Sequence, residues 1–249
     1  MKKGGIAFFD SGIGGLTVMS ECRKAFKNEL FYYYGDNENA PYGNRSDTEV
    51  LNLVFSAFRR LAALNPKAVV IGCNTATAVC VERLRSEFSF PIIGTEPAVF
   101  SAAKEGGRVL VLATRVTTEN KRFQSLCSRA ASDYPHADIQ TVACERLAIE
   151  IEKNILNANF DCTPFLPVFK ADSVVLGCTH YVFQKEKIRA FYGSKTFDGN
   201  AGVCNRLREI LLKSSVPATL PATSDVAPII YLGNAKRKNQ FIFEQTFVL

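Results

Sequence analysis

Two short segments, far apart in the chain, each deliver a cysteine after an apolar run and a glycine: Val69-Val70-Ile71-Gly72-Cys73-Asn74-Thr75 and Val174-Val175-Leu176-Gly177-Cys178-Thr179-His180. Each apolar run reads as a buried strand, which puts the polar residues at its C-terminal edge, where open α/β sheets bind ligands. Cysteines at equivalent places suggest two thiols facing one small molecule. A thiol has an ordinary pKa of ~8.5, within reach of neutral pH after modest tuning, so such a pair could act as acid and base. Taken singly, each cysteine could equally be a small buried hydrophobe.

Further polar residues gather around the two thiols in the sequence. Asp10 ends the first expected strand, where it could act on Cys73 or on a substrate ammonium, or simply cap the helix that follows. His180, two residues past Cys178, could orient or assist that thiol. Ser11, Asn74, Thr75 and Thr179 offer hydroxyl, amide and backbone N–H donors for carboxylates, and Tyr42-Gly43 could cover a pocket, with Gly43 admitting close backbone approach. Ordinary turn chemistry accounts for any one of these alone. Gly12-Ile13-Gly14-Gly15 lacks the spacing of a dinucleotide fingerprint. Glu96 and Asp198 hold matching positions in the two halves and fit structural hydrogen bonding as well as catalysis.

The elements needed to place these residues alternate between strand and helix. Ile6–Phe9, Leu30–Tyr34, Ala68–Gly72 and Ile92–Gly94 read as strands, and Leu16, Met19, Cys22 and Phe26 share one helical face. Ser46-Asp47-Thr48-Glu49 has capping-box spacing ahead of a stripe formed by Val50, Leu51, Val54, Phe58 and Leu61. The second half repeats the plan: strands at Val109–Leu112, Ile139–Val142, Val174–Gly177 and Thr196–Phe197, with helices from about Thr117 and over Leu147–Leu156. Asp10 to Cys73 spans 63 residues and Thr114 to Cys178 spans 64, which marks an internal repeat. The expected fold is α/β, two pseudo-symmetric lobes, each a mostly parallel sheet flanked by helices, with the site in the cleft between them. Residues 1–97 plus 206–249 form the first lobe and 98–205 the second, with Ile229–Leu232 returning to the first.

Composition narrows the class. At 249 residues and nearly half hydrophobic, the chain suits a soluble globular protein, with no signal segment and no run able to span a bilayer, so a cytoplasmic location is expected. Eight cysteines without a Cys-x-x-Cys pair, and only two histidines, His136 and His180, imply free thiols and no metal site. The net charge of +6 comes from scattered clusters such as Arg23-Lys24, Arg59-Arg60 and Lys236-Arg237-Lys238, which read as solvated surface rather than a specific nucleic-acid site. No phosphate loop or lysine Schiff-base context calls for a cofactor, and no membrane partner is implied.

Together, Phe9-Asp10-Ser11-Gly12-Ile13-Gly14-Gly15-Leu16, Pro41-Tyr42-Gly43, Cys73-Asn74-Thr75-Ala76, Glu96-Pro97 and Gly177-Cys178-Thr179-His180-Tyr181 resemble the glutamate racemases, members of the cofactor-independent aspartate/glutamate racemases. The resemblance covers most of the chain, in order. It implies an isomerase that interconverts L- and D-glutamate, with Cys73 acting on the D-enantiomer and Cys178 on the L-enantiomer. It further implies that Asp10 and His180 assist, that Glu152 supports the histidine, and that Asn74, Thr75 and Thr179 bind around the α-amino acid group. For Glu152 a solvent-facing helix charge is the alternative. The D-glutamate would feed peptidoglycan and so cell-wall biogenesis and cell shape, glutamate being the small-molecule partner, and a homodimer is left open. The chain departs from the family pattern at Val182-Phe183-Gln184, at Glu38-Asn39 and at Gly233-Asn234.

Racemisation explains the symmetry of the sequence. A proton leaves Cα on one face and another returns on the opposite face, so two groups, one thiolate and one thiol, serve better than a single base. Other readings are an aspartate racemase, a maleate-type isomerase or a Cys–His hydrolase on the same scaffold, and a non-catalytic binding protein. A hydrolase leaves Cys73 unexplained, and a binding protein needs neither thiol.

Overall fold

The structure, a computed structural model, describes residues 4–214 and 229–233. The Lys236-Arg237-Lys238 cluster and Asn234 lie outside the described residues, as does most of the segment 206–249 assigned to the first lobe. The first half builds the strands β1 (Ile6–Asp10), β2 (Phe31–Gly35), β3 (Ala68–Ile71) and β4 (Ile92–Gly94). The second builds β5 (Gly107–Ala113), β6 (Ala137–Ala143), β7 (Ser173–Leu176) and β8 (Lys195–Phe197), and the chain then returns through β9 (Ile229–Tyr231). The first sheet runs β4-β3-β1-β2-β9 and the second β6-β5-β7-β8, and every pairing is parallel.

Helices connect the strands: α1 (Gly15–Ala25), α2 (Asp47–Ala62), α3 (Asn74–Glu87), α4 (Val99–Glu105), α5 (Arg115–Glu119), α6 (Lys121–Asp133), α7 (Leu147–Lys153), α8 (Lys185–Tyr192) and α9 (Asn200–Ser214). They cover both faces of the sheets, which is why β1, β3 and β7 are buried along their whole length. Side chains alternate between faces: Ala7, Phe9, Val69 and Ile71 pack with Val54, Phe58 and Leu84 of α2 and α3, whereas Ile6, Phe8 and Val70 pack with Met19, Val203 and Leu207 of α1 and α9. In the second sheet Leu110, Leu112 and Val174 face Leu147, Ile151 and Ile188, and Val109, Val111 and Val175 face Val99, Phe123 and Leu126.

Local signals act where they were read. Ser46 and Glu49 form a complete capping box at the start of α2, and Val50, Val54, Phe58 and Leu61 are its buried stripe. The helix expected from about Thr117 is instead two. Thr114 caps α5 through the Thr117 N–H, and Asn120 then leaves the helix and accepts from the Arg122 N–H at 2.9 Å to start α6. The helix expected over Leu147–Leu156 stops at Lys153. Among the described residues no helix is long and apolar enough to cross a membrane.

Candidate active site

The two cysteines occupy equivalent positions on the two sheets. The Gly72 N–H donates to the Phe9 carbonyl of β1 at 2.7 Å, and the Gly177 N–H donates to the Leu112 carbonyl of β5 at 2.7 Å. Each glycine thus extends the ladder by one bond, and the next residue, Cys73 or Cys178, stands at the C-terminal edge. Cys73 is the N-cap of α3, its sulfur accepting from the Ala76 N–H at 3.4 Å and from the Ser11 hydroxyl at 3.4 Å. Cys178 precedes a 3-10 turn over Thr179–Gln184, and its sulfur lies 3.8 Å from His180 Nδ1. The other nitrogen of that ring, Nε2, is 2.7 Å from Glu152 Oε2 on α7. Both thiols are buried, as is His180.

Asp10 does not cap α1, whose N-cap is Gly14 with no side-chain bond. Its carboxylate turns into the site: Oδ1 accepts from the Gly12 N–H at 2.8 Å and Oδ2 from the Thr179 hydroxyl at 3.4 Å. Complete burial raises this carboxyl to about 6, against the opposing pull of the His180 charge and the Gly12 hydrogen bond. Cys73 is pushed up to about 12, first by burial and then by the Asp10 charge, with the Ser11 and Ala76 bonds working the other way. At His180, burial disfavours the charged ring, yet its hydrogen bonds to Cys178 and Glu152 outweigh that and hold it well above the usual histidine range.

The glycine run after β1 is a contact surface. A Cβ at Gly12 would lie 2.8 Å from Glu152 Oε2, and one at Gly14 would lie 2.6 Å from His180 Nδ1 and overlap the Thr179 hydroxyl. Only bare backbone lets the second half's acid and histidine settle against the first half's loop.

The remaining expected residues divide. The Thr75 hydroxyl meets those of Thr114 at 3.0 Å and Thr117 at 3.4 Å, and Thr114 meets Thr117 at 2.9 Å. Asn74 is buried with its Oδ1 lacking a hydrogen-bond partner. Gly43 sits against Thr114, where a Cβ would come within 2.9 Å of that side chain. Tyr42 turns inward, its ring beside Phe9 and its hydroxyl donating to Asp36 Oδ2 at 2.5 Å. Glu96 and Asp198 are taken up by ion pairs with Arg122 and Lys185.

Thr114, Thr117 and Tyr33 were not singled out as site residues. Thr114 carried a signal, since it stands in the repeat where Asp10 stands in the first half. Thr117 follows it by one helical turn. Tyr33, whose hydroxyl donates to the Gly12 carbonyl at 2.8 Å, had none. The assembled geometry offers two thiols, one beside Ser11 and Asp10 and the other beside a His–Glu pair, with hydroxyl and helix-start donors around them. That equips a site for moving protons on a small anionic molecule.

Comparison with known proteins agrees. Residues 17–206 match the Asp/Glu/hydantoin racemase family. The chain is 39% identical over 220 residues to a glutamate racemase of Clostridium novyi, with 84% of each chain covered. To a glutamate racemase of Clostridium botulinum strain Alaska E43 it is 36% identical over 242 residues, with 93% of each covered. The solved structure of a glutamate racemase from Bacillus anthracis superposes with a TM-score of 0.82 at 26% identity, covering 100% of this chain and 96% of the other. With strand-end cysteines, glycine loop and His–Glu pair set out as above, this chain belongs to the Asp/Glu/hydantoin racemase family: it is a racemase, and its similarity lies with that family's glutamate racemases.

Proposed function

We propose that the chain interconverts L- and D-glutamate by moving protons between Cα and two thiols. The observation that carries this reading is the equivalent placement of Cys73 and Cys178 beyond parallel strands, each with its own polar partners. Cys73 takes the Cα proton of D-glutamate while Cys178 returns one to the opposite face, and the roles reverse for L-glutamate. The substrate ammonium lies near Asp10, where its charge offsets the carboxylate that raises the Cys73 thiol. The α3 N-terminus and the hydroxyls of Thr75 and Thr179 bind the α-amino acid group, with Ser11 and Asn74 beside them. Glu152 holds the His180 ring, and the ring serves Cys178 as proton partner.

On this reading the product D-glutamate supplies peptidoglycan, the enzyme works in the cytoplasm, and the lobes divide as residues 1–97 plus 206–249 and 98–205. The test is incubation of the pure protein with L-glutamate in deuterated water. Optical rotation should decay to zero while deuterium enters Cα of the inverted product. Retention of optical activity with no Cα exchange rules the reading out.

A further inference from the structure

Tyr33 lies inside β2, fully enclosed, with its ring stacked on Tyr231 of β9 at 6.0 Å between centroids and 26° between planes. Its hydroxyl donates to the Gly12 carbonyl at 2.8 Å. On its other side the Gly12 N–H donates to Asp10 Oδ1, so both backbone polar groups of this glycine are held, one in each of the peptide planes that flank its Cα. The Cα of Gly12 faces Glu152, where an added Cβ would stand 2.8 Å from Oε2. That oxygen is the one 2.7 Å from His180 Nε2, and His180 Nδ1 faces the Cys178 sulfur.

We propose that Tyr33 is a positioning residue for the second thiol: its hydroxyl pins the Gly12 peptide, and Gly12 is the wall that keeps Glu152 on His180. The inference rests on the assignment of Cys178 and His180 as an acid–base pair. A buried tyrosine hydroxyl needs some acceptor in any fold. The particular acceptor used here is the carbonyl of the residue whose Cα bounds Glu152 of α7. The Tyr33 hydroxyl is bonded to the Gly12 carbonyl, and from there the effect passes through Glu152 to the histidine.

The experiment follows His180 directly. The chain has two histidines, and His136 is exposed and serves as an internal control. The charged and titratable groups acting on His180 are Cys178, Glu152 and Asp10. Imidazole NMR titrations of the full chain compare wild type with Tyr33→Phe, which keeps the ring and its stack. Freeing Gly12 lets Glu152 move off, so the His180 midpoint should fall by about one unit, as expected for loss of a close opposite charge, with His136 unmoved. The kcat for glutamate should fall about tenfold while KM changes little, as expected when proton transfer is impaired and binding is not. Because L- and D-glutamate are equally stable, kcat/KM must fall by the same factor in both directions.

An unchanged His180 midpoint overturns the proposal, and so does a rate loss without a shift in that midpoint, since it marks a general packing defect. If Tyr33→Phe does not fold, Gly12→Ala tests the same contact from the other end. Its methyl must displace Glu152, and an unmoved His180 midpoint is again fatal. Failure of wild type to racemise glutamate would defeat the functional reading alone, because the titration needs no turnover.

Discussion

Asp10 and Thr179 meet across the two sheets: the hydroxyl of a residue beyond β7 donates to the carboxylate that ends β1, at 3.4 Å. The contact ties the partners of the two thiols together, and it occurs with Asp10 fully out of water. Burial makes ionisation of this carboxyl costly, with a measurable consequence for stability.

Asp10 titrates at about 6 in the folded chain against 3.8 as its ordinary value. Between those values the folded state holds more protons than the unfolded state, so this residue's contribution is full below pH ~4 and is lost as pH rises through 6. At 1.36 kcal/mol per unit the loss is about 3 kcal/mol. Asp10→Asn removes that dependence, so urea unfolding at pH 4 to 7 should show the variant gaining on wild type as pH rises, while its racemisation falls at least about tenfold. A constant stability difference across that range would refute the account.

Replacing either thiol should stop racemisation. On the proposed two-thiol scheme Cys73→Ala and Cys178→Ala each remove an acid or base, and a drop of at least ~10²-fold is expected with the circular dichroism spectrum unchanged. Near wild-type turnover by either variant would rule out the two-thiol scheme.

Gly14→Ala probes the contact between the halves. Its methyl would overlap the Thr179 hydroxyl and crowd His180 Nδ1 at 2.6 Å. Overpacking of this kind costs about 1–3 kcal/mol. Thermal unfolding should register that loss, and activity should fall with it because the displaced groups are those beside Cys178. A variant as stable and active as wild type would show that the loop and the histidine do not press together.

The choice of glutamate over aspartate depends on one methylene, which a pocket discriminates by ~1–3 kcal/mol. A kcat/KM for glutamate at least ~10-fold above that for aspartate is expected in parallel progress curves. Equal or faster turnover of aspartate would reassign the substrate and leave the thiol chemistry in place.

Much of this site is written in local sequence, and the rest is not, for physical reasons. The Gly-Cys repeats, Asp10 at a strand end and the Ser46–Glu49 box each depend on a few neighbouring residues, so their placement could be read directly. His180 could be tied to Cys178 by proximity alone, whereas Glu152 lies 28 residues before it and was reached only through family resemblance. The Thr75–Thr114 contact joins residues 39 apart, one in α3 and the other at the N-cap of α5, and has no local signature. Tyr42 buries its ring beside Phe9 and satisfies its hydroxyl on Asp36, a pairing that no local motif announces. Asn120 splits a helix that periodicity had joined, because a side chain able to cap is also able to interrupt.

The path of β9 has a consequence for synthesis. The second sheet is drawn from one continuous stretch, β5 through β8, and can close as soon as that stretch has left the ribosome. The first cannot, since Phe31 of β2 waits for Ile229. Until then β2 is an open edge, and its sequence Phe-Tyr-Tyr-Tyr-Gly is the aromatic, uncharged kind of strand that recruits other chains. Nascent molecules stalled or truncated before Ile229 should therefore be the aggregating species, although they already hold both thiols.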